Sequence, residues 1–136
     1  MVRIAITVAA IFFAAASFAQ SPPVSLKGHD PVSYFTEGRP VKGQAKLNFD
    51  YDDARYLFTS QRNRDLFAAS PERYTPQFSG LCTTGMALGV KAESDPSIFK
   101  IVDGKLYVFS STAARDKVEQ DPSLLAKAQQ NSRTLR

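Results

Sequence analysis

Two stretches of alternating apolar and polar residues, each broken by a two-residue turn signal, constrain this chain more than any other feature. In 98–109 the alternation stops at Asp103-Gly104, and in 47–58 it stops at Asp52-Asp53. A side-chain period of two marks a half-buried strand, and a two-residue loop of the favoured hairpin type needs positive φ at both of its residues. Asp-Gly meets that need directly. Asp-Asp is a weaker turn because its second residue lacks glycine's freedom, yet the alternation on both sides still predicts a hairpin. Leu47, Phe49 and Tyr51 should then share one face, with Tyr56 and Phe58 joining them across the pair.

Each hairpin is followed by helix signals. Ser60 is placed to cap a helix through Ala69 that buries Leu66 and Phe67, and Ser70-Pro71-Glu72 restarts one with Ser70 as the cap. Proline suits the first turn, where its missing N–H is not needed. Ser110 or Ser111 caps a helix through Gln120, and Asp121-Pro122 opens another that carries Leu124, Leu125 and Ala128, with the tail fraying from Gln129. Upstream, 21–27 reads as an extended lead-in, and the turns at Gly28-His29-Asp30-Pro31 and 36–40 flank a short apolar segment, 32–35. The segment 75–89 loses periodicity. Gly80, Gly85 and Gly89 punctuate it, so it reads as a loop around Cys82, either a shaped pocket wall or a tight buried connection. No repeat or linker is expected. The fold class is α+β: two antiparallel β-hairpins with short helices packed on one side.

The N-terminus stands apart from this pattern. Arg3 precedes an apolar run, 4–16, interrupted only by Thr7, and Ser17-Phe18-Ala19 follows. The run falls short of the roughly 20 residues needed to span a bilayer. Ser17 and Ala19 are the small residues of a signal-peptidase site, and Pro22-Pro23 stops any helix beyond. The expectation is a signal peptide, 1–19, cleaved after Ala19, and a periplasmic or secreted protein, 20–136, with one domain whose core spans about 25–128 and no membrane span after cleavage. With 136 residues there is room for one core, and 43% hydrophobic against 22% charged residues excludes a disordered polyelectrolyte. The net charge of +4 is scattered rather than massed on a face, which argues against a nucleic-acid partner.

Cys82 is the only cysteine, so no internal disulfide can form. In an oxidising compartment a free thiol is open to oxidation and mispairing. Four roles stay open for it: a buried packing residue, a metal or ligand contact, a redox group, or half of an intermolecular disulfide.

Asp30-Pro31-Val32, the hairpin ending Tyr56-Leu57-Phe58, the helix reaching Phe67 and the turn Ser70-Pro71-Glu72-Arg73-Tyr74 resemble the YHS domain pattern. Phe78-Ser79-Gly80-Leu81-Cys82 and Lys100-Ile101-Val102-Asp103-Gly104-Lys105-Leu106-Tyr107 resemble its longer, exported branch, so the resemblance spans roughly 25–128. Metal-associated members carry a cysteine directly after Asp-Pro-Val, one just after the last phenylalanine of the hairpin, and a third four residues beyond. Here those positions hold Ser33, Thr59 and Asn63. None is a soft, deprotonatable ligand, so the metal site that the resemblance implies is absent. The Tyr-His-Ser tripeptide does not occur either.

Other residues remain as candidates. Cys82, Met86 four residues on, and His29, the only histidine, offer a thiolate, a thioether and an imidazole, a set that suits Cu(I). The sulfurs align only if 83–85 make a helical turn, against which Gly85 counts. His29 would have to fold back toward them; otherwise it is a turn residue whose ring bonds nearby backbone. Tyr34, Tyr74 and Phe78 are candidates, with Cys82, to line a small-ligand pocket beside the glycine loop, although aromatics are core residues first. A redox cycle lacks a resolving thiol. An enzyme is not expected, since one histidine, no Gly-x-Ser-x-Gly elbow and no carboxylate dyad assemble no catalytic set. The function expected is that of a small exported binding protein holding a soft, copper-like ion or a small ligand near Cys82, with a periplasmic protein as a further candidate partner. The alternative is a structural or partner-docking module in which Cys82 only packs.

Overall fold

Both hairpins form where the alternation breaks. A computed structural model describes residues 11 and 13–135, and most of the predicted leader, 1–10 and 12, lies outside the described residues. Strands β1 (Gln44–Tyr51) and β2 (Ala54–Phe58) pair antiparallel, with Phe49 opposite Tyr56. Strands β3 (Asp95–Val102) and β4 (Lys105–Phe109) do the same, with Lys100 opposite Tyr107. Asp103 and Gly104 have φ of 52° and 74°, and Asp52 and Asp53 reach the same region at 48° and 60°. The all-aspartate turn therefore adopts the conformation that Asp-Gly adopts more cheaply. Both first strands start earlier than the alternation suggests, because each has an irregularity, between Gln44 and Asn48 and between Asp95 and Phe99, beyond which pairing resumes.

The predicted aromatic face closes on the first helix. Tyr56, Phe58, Phe67, Val32 and Tyr74 are buried together, with Leu47, Phe49, Tyr51 and Leu66 packed against them. Phe67 touches four rings, at centroid distances of 4.8 to 6.2 Å. Complete burial of one such side chain contributes about 2–3 kcal/mol. It lies on α2 (Gln61–Ala69), whose first turn is capped by the Ser60 hydroxyl accepting from Asn63 N–H at 3.1 Å. Helix α5 (Thr112–Gln120) is capped in the same way by Ser111, the second of the two predicted serines, which accepts from Ala114 N–H at 3.1 Å.

Several local expectations are corrected. The lead-in is not wholly extended: Ser25–Gly28 is a tight turn in which Leu26 and Lys27 are left-handed, held there by burial of Leu26 against Tyr34, Leu106 and Val108. Residues 32–35 enter a helical turn, α1 (Ser33–Thr36). Ser70 precedes α3 (Pro71–Tyr74) but makes no side-chain cap; its carbonyl accepts from Arg73 N–H instead. The stretch 75–89 is not an open loop. It holds a second left-handed turn, Gln77–Gly80, and a short helix, α4 (Thr83–Ala87). Gly85 sits inside that helix because a Cβ there would come within 3.1 Å of the Ala92 side chain and 3.2 Å of the Val90 carbonyl. The tail does not fray from Gln129, since α6 (Ser123–Ser132) runs on. Ala128 is buried, and the Asn131 amide donates to the Met86 and Ala87 carbonyls at 3.0 and 3.1 Å.

The largest correction concerns repetition. Residues 76–125 retrace 24–74. The segment Tyr56-Leu57-Phe58-Thr59-Ser60 followed by Arg64-Asp65 recurs as Tyr107-Val108-Phe109-Ser110-Ser111 followed by Arg115-Asp116, and Pro71 recurs as Pro122. The two left-handed turns match, and Val24 bridges Arg55 in parallel as Pro76 bridges Leu106. Asp30 N–H donates to the Val41 carbonyl at 2.8 Å, and Cys82 N–H donates to the Ala92 carbonyl at the same distance. The outer sheet faces differ. Leu106 and Val108 on β4 are buried under Leu26 and Tyr34, whereas the counterparts Arg55 and Leu57 on β2 stay partly exposed, with Arg55 paired to Asp50 at 2.7 and 2.8 Å. The architecture is α+β, two antiparallel hairpins with their helices. No helix among the described residues is long and apolar enough to cross a membrane.

Candidate functional site

The buried carboxylate of Asp30 sits where the entry to α1 meets the start of α2. Asp30 is fully buried. Its Oδ1 accepts from Val32 N–H at 2.8 Å, and its Oδ2 accepts from Thr59 N–H, the Thr59 hydroxyl and the Asn63 side-chain amide at 2.8, 2.9 and 2.8 Å. The Ser33 hydroxyl donates to the Asp30 carbonyl at 2.7 Å and accepts from Val41 N–H at 3.1 Å. Ser33, Thr59 and Asn63, the positions where a metal-associated domain would carry thiolates, thus converge on one residue, Thr59 and Asn63 at its carboxylate and Ser33 at its backbone carbonyl. Their polar atoms are engaged with it, with one another or with backbone. They form a clamp, and a soft metal does not fit among these hydrogen-bonded neutral groups.

Cys82 occupies the matching place in the second half. The Asp30 and Cys82 backbones make the same bond to the following strand, and each side chain meets the first residue after its hairpin. Cys82 Sγ accepts from Ser110 N–H at 3.2 Å and donates to the Ser110 hydroxyl at 3.4 Å. The side chain is 1% exposed and packs with Tyr107, Phe109 and Val118. Beside it lies a cavity of about 270 Å³, to whose wall Gly85, Ala92, Ser110, Ala114 and Lys117 contribute. Ala114 is the counterpart of Asn63, and with only a methyl group it cannot reach across to position 82.

The other predicted site residues are dispersed. Residues 83–87 do form the helical turn on which the Cys82–Met86 pairing depended, and Met86 N–H donates to the Cys82 carbonyl at 2.9 Å. Met86 nevertheless packs in a different cluster, with Ala87 and Ala128, and lines a separate cavity of about 490 Å³ next to Phe78 and Gln129. His29 Nδ1 bonds the Leu26 carbonyl at 2.8 Å and closes the first left-handed turn. Tyr34 is 1% exposed; its hydroxyl donates to the Pro96 carbonyl at 2.7 Å and its ring meets Phe99 edge-on at 4.9 Å. Burial, and secondarily the Asp95 charge, push its phenol well above the ordinary tyrosine range. Tyr74 belongs to the first core and packs edge-on against Phe35. Of the three aromatics only Phe78 joins the Cys82 cluster, with its ring 6.0 Å from Tyr107. Among the described residues no group of three or more His, Cys, Asp and Glu side chains is placed to hold a metal.

Sequence reasoning missed the clamp and the roles of Ser110 and Ala114. The signal that finds them is the recurrence of Tyr-x-Phe, a hydroxyl residue, Ser and then Arg-Asp, which aligns Thr59 with Ser110 and Asn63 with Ala114. Residues 32–78 match the family model described as YHS domain, a span that runs from α1 through the first hairpin and its helices to the second left-handed turn. No curated protein and no solved structure matches the chain.

Proposed function

Starting from a chain that contains a YHS domain, we propose that it is a small exported, non-enzymatic binding protein whose ligand sits at the Cys82 cavity. The observation that carries this reading is the Cys82 thiol beside a cavity of about 270 Å³ walled largely by small side chains. A thiol is the one soft donor the cavity offers, and soft donors select Cu(I) over harder ions. Cys82 would hold such an ion, or a small thiophilic group, and Ser110 would orient the sulfur through its N–H and hydroxyl. A single protein thiolate leaves the remaining coordination open to exchange with a partner protein or a small thiol.

The test is titration of the purified mature protein with Cu(I) under reducing conditions against a chromophoric chelator, read alongside native mass spectrometry. One Cu(I) per chain in the wild type and none in Cys82→Ser is expected. Equal binding by the two proteins would overturn the assignment. Export predicts Gln20 as the first residue of the mature protein, read by N-terminal sequencing of the secreted fraction. A partner-docking role is the second reading, favoured by Leu88 and Val90, which are 61% and 56% exposed at the end of α4. Cys82→Ser would leave partner capture intact in that case.

A further inference from the structure

We infer that the two halves are copies of one structural unit, and that the Cys82 cavity is the second copy's version of the Asp30 clamp, opened by replacement of its acceptor and of its side-chain donor. This goes beyond the match to the family model, which begins at Val32, after the first left-handed turn and Asp30, and ends at Phe78. It rests on the reading of that cavity as a ligand site only for what occupies it.

The equivalence is carried by bonds rather than by overall shape. Both units enter through two left-handed residues and a glycine, Leu26-Lys27-Gly28 and Phe78-Ser79-Gly80, with φ of 52°, 48° and 84° against 57°, 55° and 79°. Non-glycine residues adopt this region rarely, and two in succession at matched positions do not arise from composition. Both turns close through the same backbone bond, His29 N–H to Leu26 and Leu81 N–H to Phe78. Both hairpins pair with the same register and the same irregularity, Gln44 with Phe58 and Asp95 with Phe109. Both helices start on a serine cap to the third residue, Asn63 or Ala114. The residues placed to meet the side chain at position 30 or 82 are therefore Thr59 and Asn63 in one unit and Ser110 and Ala114 in the other, and of these Ala114 alone is too short to make the contact.

Two substitutions separate the closed form from the open one. In the first unit a carboxylate accepts from the hydroxyl residue and from Asn63, and the three side chains close on one another. In the second the carboxylate is a thiol and the asparagine is an alanine, and the space appears beside Cys82, Ser110 and Ala114. A ligand bound there passes through the place that the Asn63 side chain takes in the first unit, and so reaches Cys82 from the side of α5.

Grafting the first clamp onto the second unit tests this. The urea midpoints of the wild type, Cys82→Asp, Ala114→Asn and the double variant are compared in the full mature chain. A double variant with a higher midpoint than Cys82→Asp alone, or one that folds where the single variant does not, is the expected result, because the new amide then meets the new carboxylate. A double variant no more stable than Cys82→Asp, or one that fails to fold with it, overturns the equivalence. Ala114→Asn alone keeps the thiol but places an amide on α5 between the cavity and Cys82, so its affinity for Cu(I) should fall at least tenfold. Unchanged affinity of that variant overturns the placement of the ligand. Absence of Cu(I) binding by the wild type would refute the functional reading, while the 82–114 coupling decides the equivalence by itself.

Discussion

Removing the Asp30 carboxylate should cost more than any other single polar change in the chain. In Asp30→Ala the N–H groups of Val32 and Thr59, the Thr59 hydroxyl and the Asn63 amide all lose their acceptor, around a side chain that is itself fully buried. An unmet buried donor costs about 1–3 kcal/mol. The four losses do not add, because the Asn63 amide can still reach the Thr59 hydroxyl at 3.1 Å and because a buried carboxylate carries its own desolvation cost, which the alanine removes. The net loss works out at roughly 3–4 kcal/mol, a large part of the 5–15 kcal/mol of an ordinary domain. Urea unfolding followed by far-ultraviolet circular dichroism measures it, with Asp30→Asn expected to fall between, since it keeps one acceptor and places an amide against donors. A loss below about 1 kcal/mol for Asp30→Ala would refute the reasoning, because the clamp would then be incidental to the joining of α1 and α2.

Other outcomes follow from the turns, the caps and the buried phenols. Asp53→Gly should stabilise the protein by about 0.5–1 kcal/mol in the same assay, since φ of 60° costs aspartate and not glycine. Ser60→Ala and Ser111→Ala should each cost about 1 kcal/mol through loss of the cap. Burial favours the neutral phenols of Tyr34 and Tyr56, whose folded-state titration is raised above the unfolded value near 10. The unfolded chain therefore loses protons that the folded chain keeps, and stability, fully present below about pH 10, should fall as the pH rises further. Chemical denaturation between pH 9 and about 11 measures this, and Tyr34→Phe should flatten the fall while costing about 1 kcal/mol for the lost bond to Pro96.

What the sequence made legible was local and periodic. The hairpins, the Ser60 and Ser111 caps and the aromatic face of Phe49, Tyr56 and Phe58 follow from spacings of two to four residues, which the chain displays directly. The left-handed turns were not legible, because Leu26 and Lys27 carry no conformational mark and are held by the burial of Leu26 under the distant β4. Helix α4 was hidden by Gly85, whose low helix propensity is overridden by the close approach of Ala92. The copper set of Cys82, Met86 and His29 was drawn from residue type alone, while the fold sends the cysteine and the methionine to different clusters. The clamp required comparison across fifty-one positions in the hairpin and helix, and fifty-two at Asp30 and Cys82. The alternating faces disguise that comparison, with Asn48 and Asp50 in one copy standing for Phe99 and Ile101 in the other.

The Tyr34 hydroxyl bond to Pro96 joins α1 to the strand that opens the second copy, and Leu26 and Tyr34 cover the outer face of β4. Each copy is built from short-range contacts and has the means to collapse quickly, but β4 keeps a bare apolar face until the first copy docks on it. Hydrogen exchange should accordingly find the slowest amides of β2 and β4 opening together in a single event, with no stage at which one half has melted and the other persists. Cleavage between Tyr74 and Pro76 would then release two fragments that need each other to regain protection.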